Sequence, residues 1–262
     1  MHWIIRLGKS EQRSYTSLNP KEIIVKQQLD YLDLLKSVSL FSDLKKAELL
    51  PVAQAAIEKC FHAGEFLIRQ DEPAEYLFVV GSGNIKLTQL SSGGDQFLLC
   101  YVTSGEMFGS IAILQNAAYP VSAEALTYCQ VLLLPGSVIR HLMSEIPQLA
   151  MGVIRHLAGR VQSLQRQLQE LSAERVEQRV ARALTRLASQ VGLRTEQGIL
   201  INVALSRQDL AEMTGTTLYT VSRILSGWEK RALIDAGRER VVIKKPHGIV
   251  AIAEDLPAPR SK

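Results

Sequence analysis

Residues 205–225, Leu-Ser-Arg-Gln-Asp-Leu-Ala-Glu-Met-Thr-Gly-Thr-Thr-Leu-Tyr-Thr-Val-Ser-Arg-Ile-Leu, constrain the fold more than any other stretch. They predict two short helices joined by a tight turn. Ser206 is a good N-cap, Asp209 three residues later answers it as a shortened capping box, and Leu210, Ala211 and Met213 follow as apolar positions. Gly215 then ends the helix, because glycine accepts the left-handed backbone that a quick reversal needs, and small Ala211 allows close helix approach. Thr216 or Thr217 caps the second helix, whose Leu218, Val221, Ile224 and Leu225 are predicted to point inward and whose Tyr219, Thr220, Ser222 and Arg223 remain outside. Counted from Arg207, Ala211, Gly215 and Val221 fall at the fifth, ninth and fifteenth places, the spacing of a helix-turn-helix. An ordinary helical hairpin is the alternative, and it gives no reason for Ser222 and Arg223 to stay outward before a basic, hairpin-like segment. The polar face of the second helix fits a DNA groove.

Charge distribution points the same way. Residues 172–262 carry 15 Lys+Arg against 10 Asp+Glu, net +5, which leaves 15 against 16, net −1, for residues 1–171. Lys and Arg on phosphate give sequence-independent affinity by counterion release, so a C-terminal excess suits DNA, although a solvated charged face would look alike. A chain of 262 residues with 47% hydrophobic side chains suffices for two packed cores. No run reaches the roughly 18 apolar residues of a membrane span, and the first nine residues are too briefly apolar for a signal peptide, so a cytoplasmic protein is expected, with no membrane partner. Cys60, Cys100 and Cys129 are odd in number and lack ligand spacing, so they are expected as buried thiols and no metal site is expected.

Along the chain, residues 1–28 are an extension whose role the sequence does not give. Two short helices are expected from Leu29 to Ala56, with Ser42 or Asp43 as a cap. Between Cys60 and Leu134 the period shortens into apolar runs at residues 66–68, 76–80, 85–88, 97–102 and 131–134, separated by glycines, which predicts a compact antiparallel β-barrel or roll. A long helix follows, roughly Ser144 to Leu171. Ile154, Leu157, Val161, Leu164, Leu168 and Leu171 continue a spacing of 4 and 3 from Ala150, a narrow stripe that predicts a two-stranded homodimer seam over simple packing on the roll. Two helix-turn-helix units on a two-fold axis would read a near-palindromic site with half-sites about one DNA turn apart. After a hinge at residues 172–174, residues 176–191 form an amphipathic helix, residues 199–205 look like a small strand pair, and residues 233–243 look like a β-wing turning at Gly237, with Arg238 and Arg240 against phosphates.

This order resembles the catabolite activator/fumarate-nitrate regulator (CRP/FNR) family of bacterial transcription factors over nearly all of residues 29–255. The resemblance is carried by His62-Ala-Gly-Glu-Phe66 with Gly81-Ser-Gly83, by Gly105-Glu-Met-Phe-Gly109, by the leucine stripe, and by Ser206-Arg-Gln-Asp-Leu-Ala211 with Thr220-Val-Ser-Arg-Ile-Leu225. It implies an α+β chain: a double-stranded β-helix (jelly roll, cyclic-nucleotide-binding-like) effector domain at residues 29–143, a dimerisation helix at 144–171 and a winged helix-turn-helix at 172–262. It further implies that an effector pocket at Gly105, Glu106, Gly109, Ser110, Tyr119 and Pro120 governs the DNA heads, and that the bound dimer touches RNA polymerase.

Departures from the family narrow the effector. Its cyclic-nucleotide members hold the ribose with a Glu and the phosphate with an Arg-Ser pair, whereas the matching positions here are Ser110 and Tyr119-Pro120. Cyclic AMP is therefore disfavoured. Oxygen-sensing members need an N-terminal cysteine cluster, and residues 1–59 contain no cysteine, which disfavours an iron-sulfur cluster. Haem or another small apolar effector stays open, with His62, His141 and His156 as candidate ligands that are each more ordinary as surface or hydrogen-bonded side chains. Glu106 and Glu124 sit beside no base or nucleophile in any catalytic pattern, so no enzyme activity is expected. In the reading helix Arg223 matches the arginine that takes guanine, Ser222 adjoins a thymine or phosphate, and Tyr219 replaces the usual Glu; Ser206, Arg207, Gln208, Thr217 and Thr220 complete the DNA-contacting set. The rival reading is a small-molecule sensor or interaction module whose DNA function is secondary or lost.

Overall fold

The computed structural model describes residues 30–256 except 92, 94 and 95, and leaves the side chains of 167 and 171–173 undescribed. The extension at residues 1–28 and the side chain of Leu171 thus lie outside the described residues. Residues 30–37 are helical. Helix α1 (Lys46–Ala55) starts at an N-cap on Lys45. The caps expected at Ser42 and Asp43 are not used: Asp43 pairs with Arg155 at 2.6 Å, and Ser42 Oγ donates to the Ser39 carbonyl at 3.1 Å. Glu48 instead reaches back to accept from the Lys45 N–H at 2.7 Å.

Eight strands build the roll: β1 (Ile57–Phe61), β2 (Phe66–Ile68), β3 (Tyr76–Ser82), β4 (Asn84–Leu90), β5 (Gln96–Thr103), β6 (Met107–Phe108), β7 (Ser122–Ala125) and β8 (Cys129–Pro135), with the short helix α2 (Ser110–Gln115) before β7. They form two antiparallel sheets, ordered β1-β8-β3-β6 and β2-β7-β4-β5. Val79, Val80, Val131 and Leu132 on neighbouring β3 and β8 are all buried, as expected where strands rich in branched side chains run through the middle of a sheet. The β3–β4 reversal needs Gly83 at φ +92°, where a Cβ would stand 2.5 Å from the Tyr128 carbonyl oxygen. One core of the roll gathers Phe61, Phe78, Ile85 and Val131; a second, with Leu35, Phe41, Leu77 and Leu149, binds the flanking helices to it. Cys129 is buried, Cys100 half-buried and Cys60 exposed on the solvent face of β1, which corrects the expectation of three buried thiols.

Helix α3 (Gly136–Glu145) follows the roll, and α4 (Pro147–Ala173) is the long helix. It begins at Pro147 rather than Ser144, because proline forces the residue before it out of the helical region and Ile146 accordingly sits at φ −118°, ψ 92°. Helix α5 (Val176–Val191) opens the C-terminal domain, and α6 (Arg207–Thr214), α7 (Leu218–Lys230) and α8 (Pro246–Ala253) pack with it around Val180, Leu184, Val221 and Trp228. A second small sheet, ordered β11-β12-β10-β9, joins β9 (Gly192–Thr195), β10 (Gly198–Ile201), β11 (Ile234–Ala236) and β12 (Val241–Ile243). The strand pair expected within residues 199–205 is thus β9 with β10, since Leu200 pairs with Leu193 and residues 202–205 leave the sheet. Among the described residues no helix is long and apolar enough to cross a membrane.

Candidate DNA interface and effector cavity

Local chemistry builds the helix-turn-helix as its residues dictate. Ser206 Oγ accepts from the Asp209 N–H at 3.0 Å while Asp209 Oδ2 accepts from the Ser206 N–H at 2.9 Å, closing the capping box. Gly215 turns the chain at φ 58°, ψ 47°, and Thr217 Oγ1 accepts from the Thr220 N–H at 3.2 Å, so Thr217 rather than Thr216 caps α7. Val221, Leu225 and Trp228 are buried and Ile224 is half-buried, but Leu218 is 49% exposed, contrary to the inward position expected of it. Leu218 is the first residue of the helix, and side chains there lean back beyond the first turn, where no core exists to receive them. Tyr219 and Arg223 are exposed one turn apart, with Ser222 and Thr220 half-buried beside them. In the wing, the Gly237 N–H donates to the Arg240 carbonyl at 2.7 Å; Arg238 is exposed, whereas Arg240 pairs with Asp235 at 3.2 Å and presents a partly neutralised charge. Arg207 and Ser206 are half-buried and Gln208 is exposed at the start of α6.

A cavity of about 500 Å³ collects all six residues expected at the effector pocket: Gly105, Glu106, Gly109, Ser110, Tyr119 and Pro120. Of the three polar side chains among them, Glu106, Ser110 and Tyr119, two are already hydrogen-bonded to the backbone of the roll. The Tyr119 hydroxyl donates to the Tyr76 carbonyl at 2.7 Å and accepts from the Tyr76 N–H at 2.9 Å, and Glu106 accepts from the Thr103 N–H at 2.8 Å. The lining also includes His156, which the sequence offered as a candidate ligand, and Arg160 on α4 and Gln190 on α5, which sequence reasoning missed. Both α4 residues precede members of the apolar stripe, so the flank of that stripe was the available signal. Burial and the nearby Arg160 charge lower the His156 pKa, which favours a neutral imidazole facing the cavity. His62, by contrast, lies exposed against the Tyr128 ring and His141 pairs with Glu145 at 3.3 Å on the surface, both outside the cavity lining. Among the described residues, no group of three or more His, Cys, Asp or Glu is placed to hold a metal ion.

The roll and the DNA-binding domain meet at α6. Lys86 Nζ on β4 sits 2.9 Å from Asp209 Oδ1, the Leu98 N–H on β5 donates to Glu212 Oε2 at 3.0 Å, and Asn84 Nδ2 donates to the Asn202 carbonyl at 3.3 Å. Leu98 and Tyr101 of β5 belong to the same apolar cluster as Val180 and Trp228. Tyr101 buries its hydroxyl there with no partner among the described residues, and burial with the nearby Asp209 and Glu212 charges raises its pKa, keeping it protonated. For Asp209, burial alone would raise the pKa, but hydrogen bonds from Ser206 and the Lys86 partnership outweigh it and leave a net lowering. A depressed carboxylate stabilises the fold fully above its ordinary value of 3.8 and loses that contribution as pH falls through its folded value. Asp209→Asn is therefore expected to lower stability at neutral pH and to flatten the loss of stability below about pH 4, read by urea denaturation across pH; equal pH profiles for the two proteins would contradict it.

Residues 58–145 match the cyclic nucleotide-binding domain model and residues 178–252 the Crp-like helix-turn-helix domain model, in that order along one chain. The chain belongs to the CRP/FNR family. Among CRP/FNR relatives, it is 27% identical over 190 residues to the transcriptional activator protein anr of Pseudomonas aeruginosa, covering 72% of this chain and 78% of that protein. It is 25% identical to the global nitrogen regulator of Synechococcus elongatus, covering 71% of this chain and 85% of that one. Among solved structures, TTHB099, a transcriptional regulator of the CRP family from Thermus thermophilus, is 26% identical with a TM-score of 0.63, covering 76% of this chain and 97% of that one. FixK2 from Bradyrhizobium japonicum, at 24% identity and a TM-score of 0.62 over 79% of this chain and 99% of that one, shares the fold. As a CRP/FNR-type protein the chain is a transcription regulator with a DNA-binding helix-turn-helix, and not an enzyme.

Proposed function

We propose that this regulator works as a homodimer that reads a near-palindromic promoter site, with RNA polymerase as its downstream partner, under control of a small effector other than cyclic AMP. One observation carries the reading: a single cavity is walled by the roll, by α4 and by Gln190 of the DNA-binding domain. A ligand seated there touches every body whose relative placement decides how the recognition helices are presented. Helix α4 supports the dimer as well. Beyond its packing on the roll, Ile154, Val161 and Leu164 are each more than half exposed, and Leu168 is exposed further along, while Leu157 is half-buried against the roll core and serves both faces. A row of large apolar side chains at coiled-coil spacing is costly to leave in water, and a second copy of the same helix covers it.

Cyclic AMP does not suit the cavity. Its phosphate would lie beside Tyr119, whose hydroxyl is already committed to the Tyr76 backbone, and the cavity's guanidinium, Arg160, stands on α4 instead, while burial favours a neutral His156. A phosphate buried beside Tyr119, where none of the roll residues lining the cavity is an arginine, loses several kcal/mol, so calorimetry is expected to detect no binding at micromolar ligand; a micromolar or tighter dissociation constant would contradict this. DNA reading is tested at Arg223, which is exposed on α7 and whose fork suits O6 and N7 of guanine. Arg223→Ala is expected to cost about 1–3 kcal/mol of operator binding and to relax one base position. Unchanged affinity in a gel-shift titration would remove Arg223 from that role.

A further inference from the structure

We infer that the DNA-binding domain carries a second small-molecule site, for an aliphatic carboxylate, at the root of the wing and separate from the effector cavity of the roll. The cavity there measures about 600 Å³, within the roughly 300–1,000 Å³ usual for small-molecule sites. Local geometry sets its walls. Ala232 reverses the chain after α7 at φ 54°, and the Leu233 N–H then donates to the Trp228 carbonyl at 2.9 Å. The Leu233 carbonyl in turn accepts from the N–H groups of Lys244 and Lys245 at 2.9 and 3.0 Å, which brings the end of β12 alongside the end of α7. Pro246 starts α8, whose Ala251 and Ile252 join Leu233 and Leu256 in an apolar wall.

Around that wall stand Arg231, Lys244, Lys245 and His247, and no acidic side chain lines the cavity. Arg231 reaches Glu177 at 3.8 Å, whereas the two lysines are exposed and enter no ion pair among the described residues. Cations gathered without counter-charges at the edge of an apolar cavity suit an anionic head whose tail leaves water. The adjoining segment of the chain does not, since residues 257–262, which follow Leu256, bring Arg260 and Lys262, the same sign as the lining. Under the reading proposed above, DNA does not engage these lysines either. Arg231 lies eight residues beyond Arg223, about 12 Å along the axis of α7, and Leu233 and Lys244 flank the ends of β11 and β12 away from the wing turn that carries Arg238. Part of the C-terminal basic excess is thus left for another anion.

Calorimetric titration of the full-length protein with decanoate, kept below its micelle concentration, tests the site. At least one site per chain is expected, with decanol, which lacks the charge, and acetate, which lacks the tail, each binding at least tenfold more weakly, the factor for losing one charge-assisted hydrogen bond or a comparable apolar burial. Lys244→Glu combined with Lys245→Glu is expected to weaken decanoate by at least the same factor, and Ala251→Phe, which fills the cavity, to abolish its binding, with circular dichroism confirming that both variants fold. Arg160→Ala, in the effector cavity, is expected to keep this site. Absence of decanoate binding by the wild type, equal affinity for decanol, or binding that survives the lysine changes but disappears in Arg160→Ala would overturn the inference. None of these results bears on operator binding, which gel shift reads separately.

Discussion

Val161→Glu combined with Leu164→Glu is expected to yield a folded monomer that binds its operator at least a hundredfold more weakly than the wild type. Both side chains are more than half exposed in the single chain, so neither substitution empties a core site within the protomer. In the proposed dimer each stripe meets its own copy across a two-fold axis, and glutamates at these positions would face glutamates in place of an apolar seam. Like charges then replace apolar burial, and the paired helices separate. Operator affinity falls further than dimer stability alone suggests, because linking two binding modules raises avidity by about 10²–10⁴ without any new contact, and that gain disappears with the link. Light scattering and gel-shift titration on the same preparation check both halves; a double variant that stays dimeric would remove these residues from the seam.

Trp228→Ala is expected to cost about 3–5 kcal/mol, the range for emptying a large aromatic site in a core. Trp228 is fully buried among Val180, Leu184, Leu233 and Ile249, and its indole Nε1 donates to Glu177 Oε1 at 2.7 Å. Truncation leaves a void at the centre of the DNA-binding domain and removes the bond that ties α7 to the first turn of α5. A protein domain holds only about 5–15 kcal/mol of net stability, so the loss takes a large share of what this domain has. The roll has its own cores and is expected to unfold near its wild-type midpoint. Denaturant titration followed by circular dichroism is expected to resolve two transitions, only the earlier one shifted; a loss below about 1 kcal/mol would contradict the packing described here.

What the sequence makes legible depends on how local the cause is. Ser206, Gly215 and Thr217 were readable because a cap or a left-handed turn is decided within four residues. Strand β3 was readable as a continuous apolar run, but β1 and β7 were not: Ile57-Glu-Lys-Cys is exposed, and Ser122-Ala-Glu-Ala offers neither bulk nor branching. Leu218 was misplaced because periodicity alone assumes a core on every side of the first turn. The six pocket residues do line one cavity, as does His156, a candidate ligand from the sequence, yet Arg160 and Gln190 were hidden, since they reach it only through the packing of α4 and α5. The Lys86–Asp209 pair joins residues 123 positions apart, and nothing in either neighbourhood announces the other. Asp209 itself was assigned to the cap, correctly, while its second role awaited the tertiary structure.

In the proposed dimer two recognition helices, joined through α4, engage one operator together. Sedimentation of the full-length protein with a selected duplex tests it most directly when repeated with about five base pairs inserted between the half-sites, a half turn of DNA. Two chains per duplex and a steep loss of affinity on insertion are expected, because the second helix is carried to the far side of the duplex. One chain per duplex, or equal affinity for both spacings, would contradict it.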